Sequence, residues 1–310
     1  MLRPILSRLQ AAVSVPPRRS VAAPVALLAA CALSLGAASA PAAPVPKTIV
    51  VCAPGYPGTT AAAQPTMDAF ARDACAAAGW PAGRIRALYH ESAASGLKRL
   101  EEPDAVLALV SLPFFLQHEV ALRLVPRLQV VQGAGATETW SLVAKRGRVT
   151  SAAALDGFEI TGVAGYSPEF VLGAVLGGFG SPPQTARVTF TPSPLAALRR
   201  AAAGEPVAVV VDAAQATALA SLPFGADLEI VARSTALPGT VLCAVGARLK
   251  GADLDALIGG LQKLHTRSDW AGTLAGLRMT RFEPVDKAAL DAARKACAAA
   301  RPAPPGKPRP

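Results

Sequence analysis

The sequence predicts an α/β protein of two lobes, each a mostly parallel sheet flanked by helices, and three observations carry that prediction. From Thr48 onward, short apolar runs alternate with amphipathic stretches of helical period. Several runs are apolar at every position, as expected of strands covered on both faces. A helix-then-strand unit also recurs about a hundred residues later, as a pair and not as the many close copies of a solenoid.

The elements follow in order. Thr48-Ile49-Val50-Val51-Cys52-Ala53 is the first buried run and should be a central strand. Met67, Phe70, Ala71, Ala74, Cys75 and Ala78 then recur at helical spacing, with Asp68, Arg72 and Asp73 facing away, and Gly79 with Pro81 ends that helix. Strands are predicted over 84–90, 105–111, 128–132 and 140–145, and again over 159–163, 187–191, 207–212, 228–232 and 240–245. The chain finishes helical, over 252–265 and 285–300. In the repeated unit a short helix, 95–100 or 193–198, feeds a buried strand that ends on a small polar residue, Ser111 or Asp212. Ligands of open parallel sheets sit beyond the carboxyl ends of strands, so these two residues stand where two lobes touch one molecule.

The N-terminus reads as an export signal over 1–42. Arg3, Arg8, Arg18 and Arg19 precede an uncharged Ala/Leu/Val-rich run, and Ala40-Pro41-Ala42 offers a small-x-small site for cleavage before Ala43. Leu28-Ala29-Ala30-Cys31 has the form of a lipoprotein processing site, so a periplasmic protein anchored by lipid through Cys31 is the alternative. With 52% hydrophobic and 17% charged residues the remaining chain is globular. The formal net charge of +10 includes the leader arginines and the basic, Pro-rich tail 301–310, expected to be disordered, so the folded body is only mildly basic. No Lys/Arg stripe interleaved with aromatics occurs, which excludes a nucleic-acid partner. Cys52 and Cys243 read as core thiols, while Cys75 and Cys297 are either bridged or buried thiols.

Catalytic and metal motifs are absent. His90-Glu91 and His118-Glu119 are adjacent pairs, not two ligands on one helical face, and His265 reads as a helix C-terminal cation. Gly165-Tyr166-Ser167-Pro168-Glu169 lacks the second glycine of a nucleophile elbow. Residues 133–138 stop short of a dinucleotide fingerprint, and no Gly-Lys-Ser/Thr phosphate loop occurs. No catalytic residue, metal or other cofactor is expected.

An ordered series of segments remains: Val50-Val51-Cys52-Ala53-Pro54-Gly55-Tyr56, Ser111-Leu112-Pro113-Phe114-Phe115, Trp140-Ser141-Leu142-Val143-Ala144-Lys145, Ala154-Leu155-Asp156-Gly157, Gly204-Glu205-Pro206-Val207-Ala208, Val211-Asp212-Ala213-Ala214 and Ala236-Leu237-Pro238-Gly239. In order and spacing it resembles the phosphate/phosphite/phosphonate-type substrate-binding proteins of ABC transporters, within the type II periplasmic binding protein family. The resemblance implies a first lobe of 44–137 plus 237–300, a second lobe of 138–236, and two hinge strands between them. It further implies a monomer that closes on a small ligand, most readily a phosphonate, phosphate or related oxyanion, and delivers it to an ABC permease without bond chemistry. A domain serving a sensor, or an exported enzyme with a scattered site, are the alternatives.

Loops after the strands give the candidate ligand-binding set: Tyr56, Glu91, Ser92, Ser111, Phe114, Thr139, Tyr166, Ser167 and Asp212. Ser92 and Ser167 are the candidates for holding an oxyanion at a helix N-terminus. Pro168 and Glu169 depart from that pattern, since one removes a donor and the other repels an anion. With them a zwitterion or a neutral solute enters consideration, with Asp212 and Glu91 placed to hold a cationic group such as an amine. Ser167 and Asp212 also read as plain helix N-caps. Of Phe114 and Phe115, one is expected in the core and the other on the cleft wall.

Overall fold

The computed structural model describes residues 46–300 except 56, 57 and 134. The leader, Cys31, the tail 301–310 and Tyr56 therefore lie outside the described residues.

The first sheet contains β1 (Lys47–Cys52), β2 (Ile85–His90), β3 (Ala105–Ser111), β4 (Leu124–Val131), β12 (Thr240–Val245) and β13 (Arg281–Pro284), in the order β13-β4-β12-β3-β1-β2. The second contains β6 (Ser141–Lys145), β7 (Glu159–Gly162), β8 (Arg187–Phe190), β9 (Val207–Val211) and β10 (Leu228–Arg233), in the order β10-β6-β9-β7-β8. Between them β5 (Thr137–Glu138) pairs antiparallel with β11 (Leu237–Pro238). The α-helices among the described residues are α1 (Thr60–Ala77), α2 (Ala93–Glu101), α3 (Leu112–Leu122), α4 (Pro194–Ala203), α5 (Ala213–Ala218), α6 (Gly251–Lys263), α7 (Ala271–Gly276) and α8 (Lys287–Ala299).

Four strands of each sheet point the same way, as the sequence predicts, with β12 and β13 reversed in the first sheet and β6 in the second. β1 pairs parallel with β2 and β3, and β7 with β8 and β9, while β12 pairs antiparallel with β3 and β4, β13 with β4, and β6 with β9 and β10. The cause is the double crossing. A strand that enters its sheet from the hinge, as β6 and β12 do, starts where its neighbours end and so runs against them.

The repeated unit holds in three dimensions: α2 feeds β3 and α4 feeds β9. β9 is buried at all five positions, and β3 at all but Ser111, as strands covered on both faces require. Thr59 caps α1 by accepting from Ala62 N–H at 3.2 Å, which starts that helix well before the Met67 periodicity. β4 starts earlier than predicted and passes through Pro126. The ladder slips where Pro126 faces Cys243, as a residue without an N–H requires.

α3 has no predicted counterpart. Leu112, Phe114 and Phe115 are all fully buried, so its start is apolar on every side and shows no helical period. The expectation that one phenylalanine walls the cleft is thereby corrected: Phe114 and Phe115 both belong to the core. That core is continuous from Val50 and Val110 through Trp140 and Phe170 to Leu290 and Cys297, so the two sheets share packed interior beside the hinge. α8 completes it, with Arg294 bonding Glu119 of α3 at 2.9 Å and Ala296 so close to Gly173, in the π-helical turn Phe170–Val175, that a Cβ at Gly173 would lie 2.2 Å from the Ala296 carbonyl. Cys75 and Cys297 are not bridged; they lie in separate clusters of the core. No helix among the described residues is long and apolar enough to cross a membrane.

Candidate functional site

The carboxyl ends of β1, β3, β7 and β9 and the hinge pair converge on one cleft. A cavity of about 460 Å³ opens there between Gly55 of the first lobe, Val163 and Asp212 of the second, Glu138 and Gly239 of the hinge, and Arg278 just past α7. A second cavity of about 270 Å³ shares Gln132, Thr240 and Arg278 with it, and its remaining walls include the apolar Val51, Met67, Leu109 and Met279.

The lobes touch across this cleft. Ser111, at the end of β3, shares a 3.0 Å hydrogen bond with Tyr166, and the Gln117 amide of α3 donates to the Tyr166 carbonyl at 3.3 Å. Gly55 takes φ +81°, and a Cβ there would lie 2.5 Å from Val163 Cγ1. Glycine is required at this position on both counts.

The charges of the larger cavity are unequal. Burial, reinforced by the Asp212 carboxylate and only partly offset by Trp140, raises Glu138 to about pKa 7. Burial also raises Asp212, against backbone N–H bonds from Gln215 and Ala214 that favour its ionised form. Asp212 and Gln215 form a full capping box, at 2.8 Å and 3.2 Å. The cation of the cavity is Arg278. It sits at φ +55° as the left-handed residue of a Schellman-type end to α7, with Met279 N–H bonding Leu274 O and Arg278 N–H bonding Ala275 O. The equivalent turn after α1 uses Gly79 at φ +69°. Neither Glu138 nor Arg278 makes an ion pair among the described residues.

The sequence-derived candidates divide accordingly. Asp212 lines the larger cavity, Ser111 the smaller, and Tyr166 bonds Ser111 across the cleft. Glu91 is exposed and accepts from Thr60 N–H at 3.2 Å, so it occupies the N-terminus of α1. Ser92 caps α2 through Ser95 N–H at 3.1 Å. Ser167 is buried, and its carbonyl accepts from Phe170 and Val171. Thr139 is half-buried between β5 and β6. Glu91, Ser92, Thr139 and Ser167 line neither cavity.

The fold matches known structures over most of its length. XAC2383 from Xanthomonas citri, solved bound to ATP, superposes with a TM-score of 0.64 at 13% identity, covering 83% of this chain and 98% of that one. A binding protein component of an ABC phosphonate transporter from Pseudomonas aeruginosa gives 0.58 at 15%, covering 79% and 83%. PhnD1 from Prochlorococcus marinus, in complex with methylphosphonate, gives 0.54 at 14%, covering 81% and 98%. The chain has the two-lobed fold of the periplasmic binding proteins. No family model and no curated protein matches its sequence.

Within this binding-protein fold, sequence reasoning missed Glu138 and Arg278. Glu138 is next to Thr139, and its hinge position was legible from the return crossing Leu237-Pro238-Gly239. Arg278 is a single arginine in a short turn, and no local pattern distinguishes it from the others.

Proposed function

We propose that this protein is an exported, monomeric solute-binding protein that closes its two lobes on a small ligand and presents it to an ABC permease without chemical turnover. The observation that carries the reading is the cavity at the interlobe cleft, walled from both lobes and the hinge, with the Ser111–Tyr166 hydrogen bond joining the lobes beside it. A ligand held there touches both lobes at once, so its binding energy favours the closed arrangement. The fold-mates named for phosphonate transport and methylphosphonate support the same role.

An acidic group of the phosphonate or related oxyanion type finds one cation, Arg278, and the Thr240 hydroxyl on the walls common to both cavities. The serines proposed from the sequence for an oxyanion are committed elsewhere: Ser92 caps α2 and Ser167 is buried beside its own turn. Export rests on the leader, by cleavage before Ala43 or by lipidation at Cys31.

The test is thermal unfolding of the purified protein against phosphate, phosphite, alkyl- and aminoalkylphosphonates, sulfonates and amino acids. A ligand at a hundred times its dissociation constant adds about 2.7 kcal/mol, which is readily detected. Binding with no change in the ligand after long incubation supports the reading; conversion of the ligand contradicts it.

A further inference from the structure

The cavity holds two carboxylates and one guanidinium, and this balance bears on what it takes. Glu138 reaches it from β5 and Asp212 from the end of β9, so one acid belongs to the hinge and the other to the second lobe. An all-anionic solute entering this space would meet Arg278 but also both acids, which are half-buried and so less screened than surface carboxylates. Among the described residues no cation but Arg278 lines the cavity. Arg294 of α8 is paired with Glu119 and Asp291, Lys287 and Lys295 are exposed, and β11 contributes only Leu237 and Pro238. What Glu138 and Asp212 lack is a cation.

Arg278 gives the complementary half. Its left-handed conformation is one that glycine fills without strain, yet an arginine stands there, and it lines both cavities. Arg123 adopts the same conformation after α3 but faces an open hollow elsewhere, so the placement on the cleft, more than the dihedral, distinguishes Arg278. Beside Arg278 the smaller cavity is largely apolar.

We propose that the ligand is a small zwitterion: a cationic nitrogen seated between Glu138 and Asp212, an acidic group at Arg278, and any apolar substituent in the adjoining cavity. This rests on the ligand-capture reading above and names the class of solute captured. The two carboxylates serve as a selectivity filter against simple anions, because each is left facing a like charge unless the ligand supplies the nitrogen.

Matched pairs that differ only in the amine test it: 3-aminopropionate against propionate, 2-aminoethylsulfonate against ethylsulfonate, and 2-aminoethylphosphonate against ethylphosphonate. Each is titrated calorimetrically into the full chain, into Glu138→Gln, which keeps the shape and folds without a buried charge, and into Arg278→Gln. The expected result is that at least one amine-bearing member binds and its amine-free partner does not. Glu138→Gln should weaken that binding by about tenfold or more, and Arg278→Gln by a similar factor.

The pH dependence is a second readout that a merely structural role would not move. A cation requires Glu138 ionised, so affinity for the zwitterion should fall by up to about tenfold per pH unit below about pH 7, and Glu138→Gln should remove that slope. Equal binding of the amine-free acids, lost in Arg278→Gln, no weaker in Glu138→Gln and tighter at low pH, would overturn the zwitterion while leaving ligand capture in place. If no pair binds, the zwitterion is overturned as well. Native mass spectrometry of the protein as purified then decides whether capture stands, because a retained small molecule keeps it and its absence removes both.

Discussion

Two carboxylates, one at the far end of the first sheet and one at the hinge, are treated in opposite ways. At the end of the first sheet away from the cleft, Asp104 accepts from Thr48, Arg86 and Arg99 at 2.5, 2.9 and 2.5 Å. Burial alone would raise its pKa, but the hydrogen bonds from Arg99, Thr48 and Arg86 win and hold it well below the usual carboxylate range. In the cleft, Glu138 is half-buried with Asp212 near it and no cation paired to it among the described residues, and its pKa rises to about 7. One acid is satisfied by its own chain and the other is left for something else to satisfy. Unfavourable electrostatics of this kind collect where a protein binds or reacts, because stability there is traded for recognition.

The largest expected effect breaks the satisfied side. Asp104→Ala leaves the part-buried guanidinium of Arg99 without its counter-charge, and should cost roughly 3–5 kcal/mol in denaturant unfolding. Ligand affinity of the molecules that remain folded should be unchanged, because Asp104 lies at the other end of β3 from the cleft.

The reverse change belongs to Glu138. Its folded-state pKa is raised from an ordinary 4.5 to about 7, so the folded state holds the proton that the unfolded state releases, and stability falls as pH rises through that window. Glu138→Gln should remove this slope and make the unliganded protein more stable at pH 8, by roughly 2–3 kcal/mol, in unfolding curves taken from pH 4.5 to 8. Asp104 has the opposite sign: its contribution is present above the ordinary Asp pKa and is lost as pH falls through and below it.

Two smaller changes probe the contact between the lobes. Gly55→Ala puts a methyl group against Val163 and forces a left-handed backbone on a residue with a Cβ, so closure should lose roughly 1–3 kcal/mol, read as weaker ligand binding. Tyr166→Phe removes the hydrogen bond to Ser111 at a cost of about 1 kcal/mol, seen as a faster ligand off-rate with the fold intact.

The same contrast explains what the sequence disclosed. Strands such as Thr48–Cys52 and Val207–Val211 were legible because double burial leaves no polar position, and Ser111 and Asp212 because each closes such a run. α3 was hidden by uniform apolarity at Leu112, Phe114 and Phe115, and the reversal of β6 and β12 by a strand direction that only the hinge crossings set. The roles of Glu138 and Arg278 were illegible for another reason. Each is one charged residue in a short connection, and its meaning lies in facing a cavity built from segments far apart in the chain.

Hydrogen exchange with and without a saturating amine-bearing probe from the matched pairs tests the central claim, capture in the interlobe cleft, most directly. Slower exchange is expected in segments around Gly55, Glu138, Val163 to Tyr166, Asp212 to Gln215 and Arg278, with segments around Asp104 unchanged. Protection that misses the cleft, or that spreads evenly over both ends of the first sheet, would contradict the account.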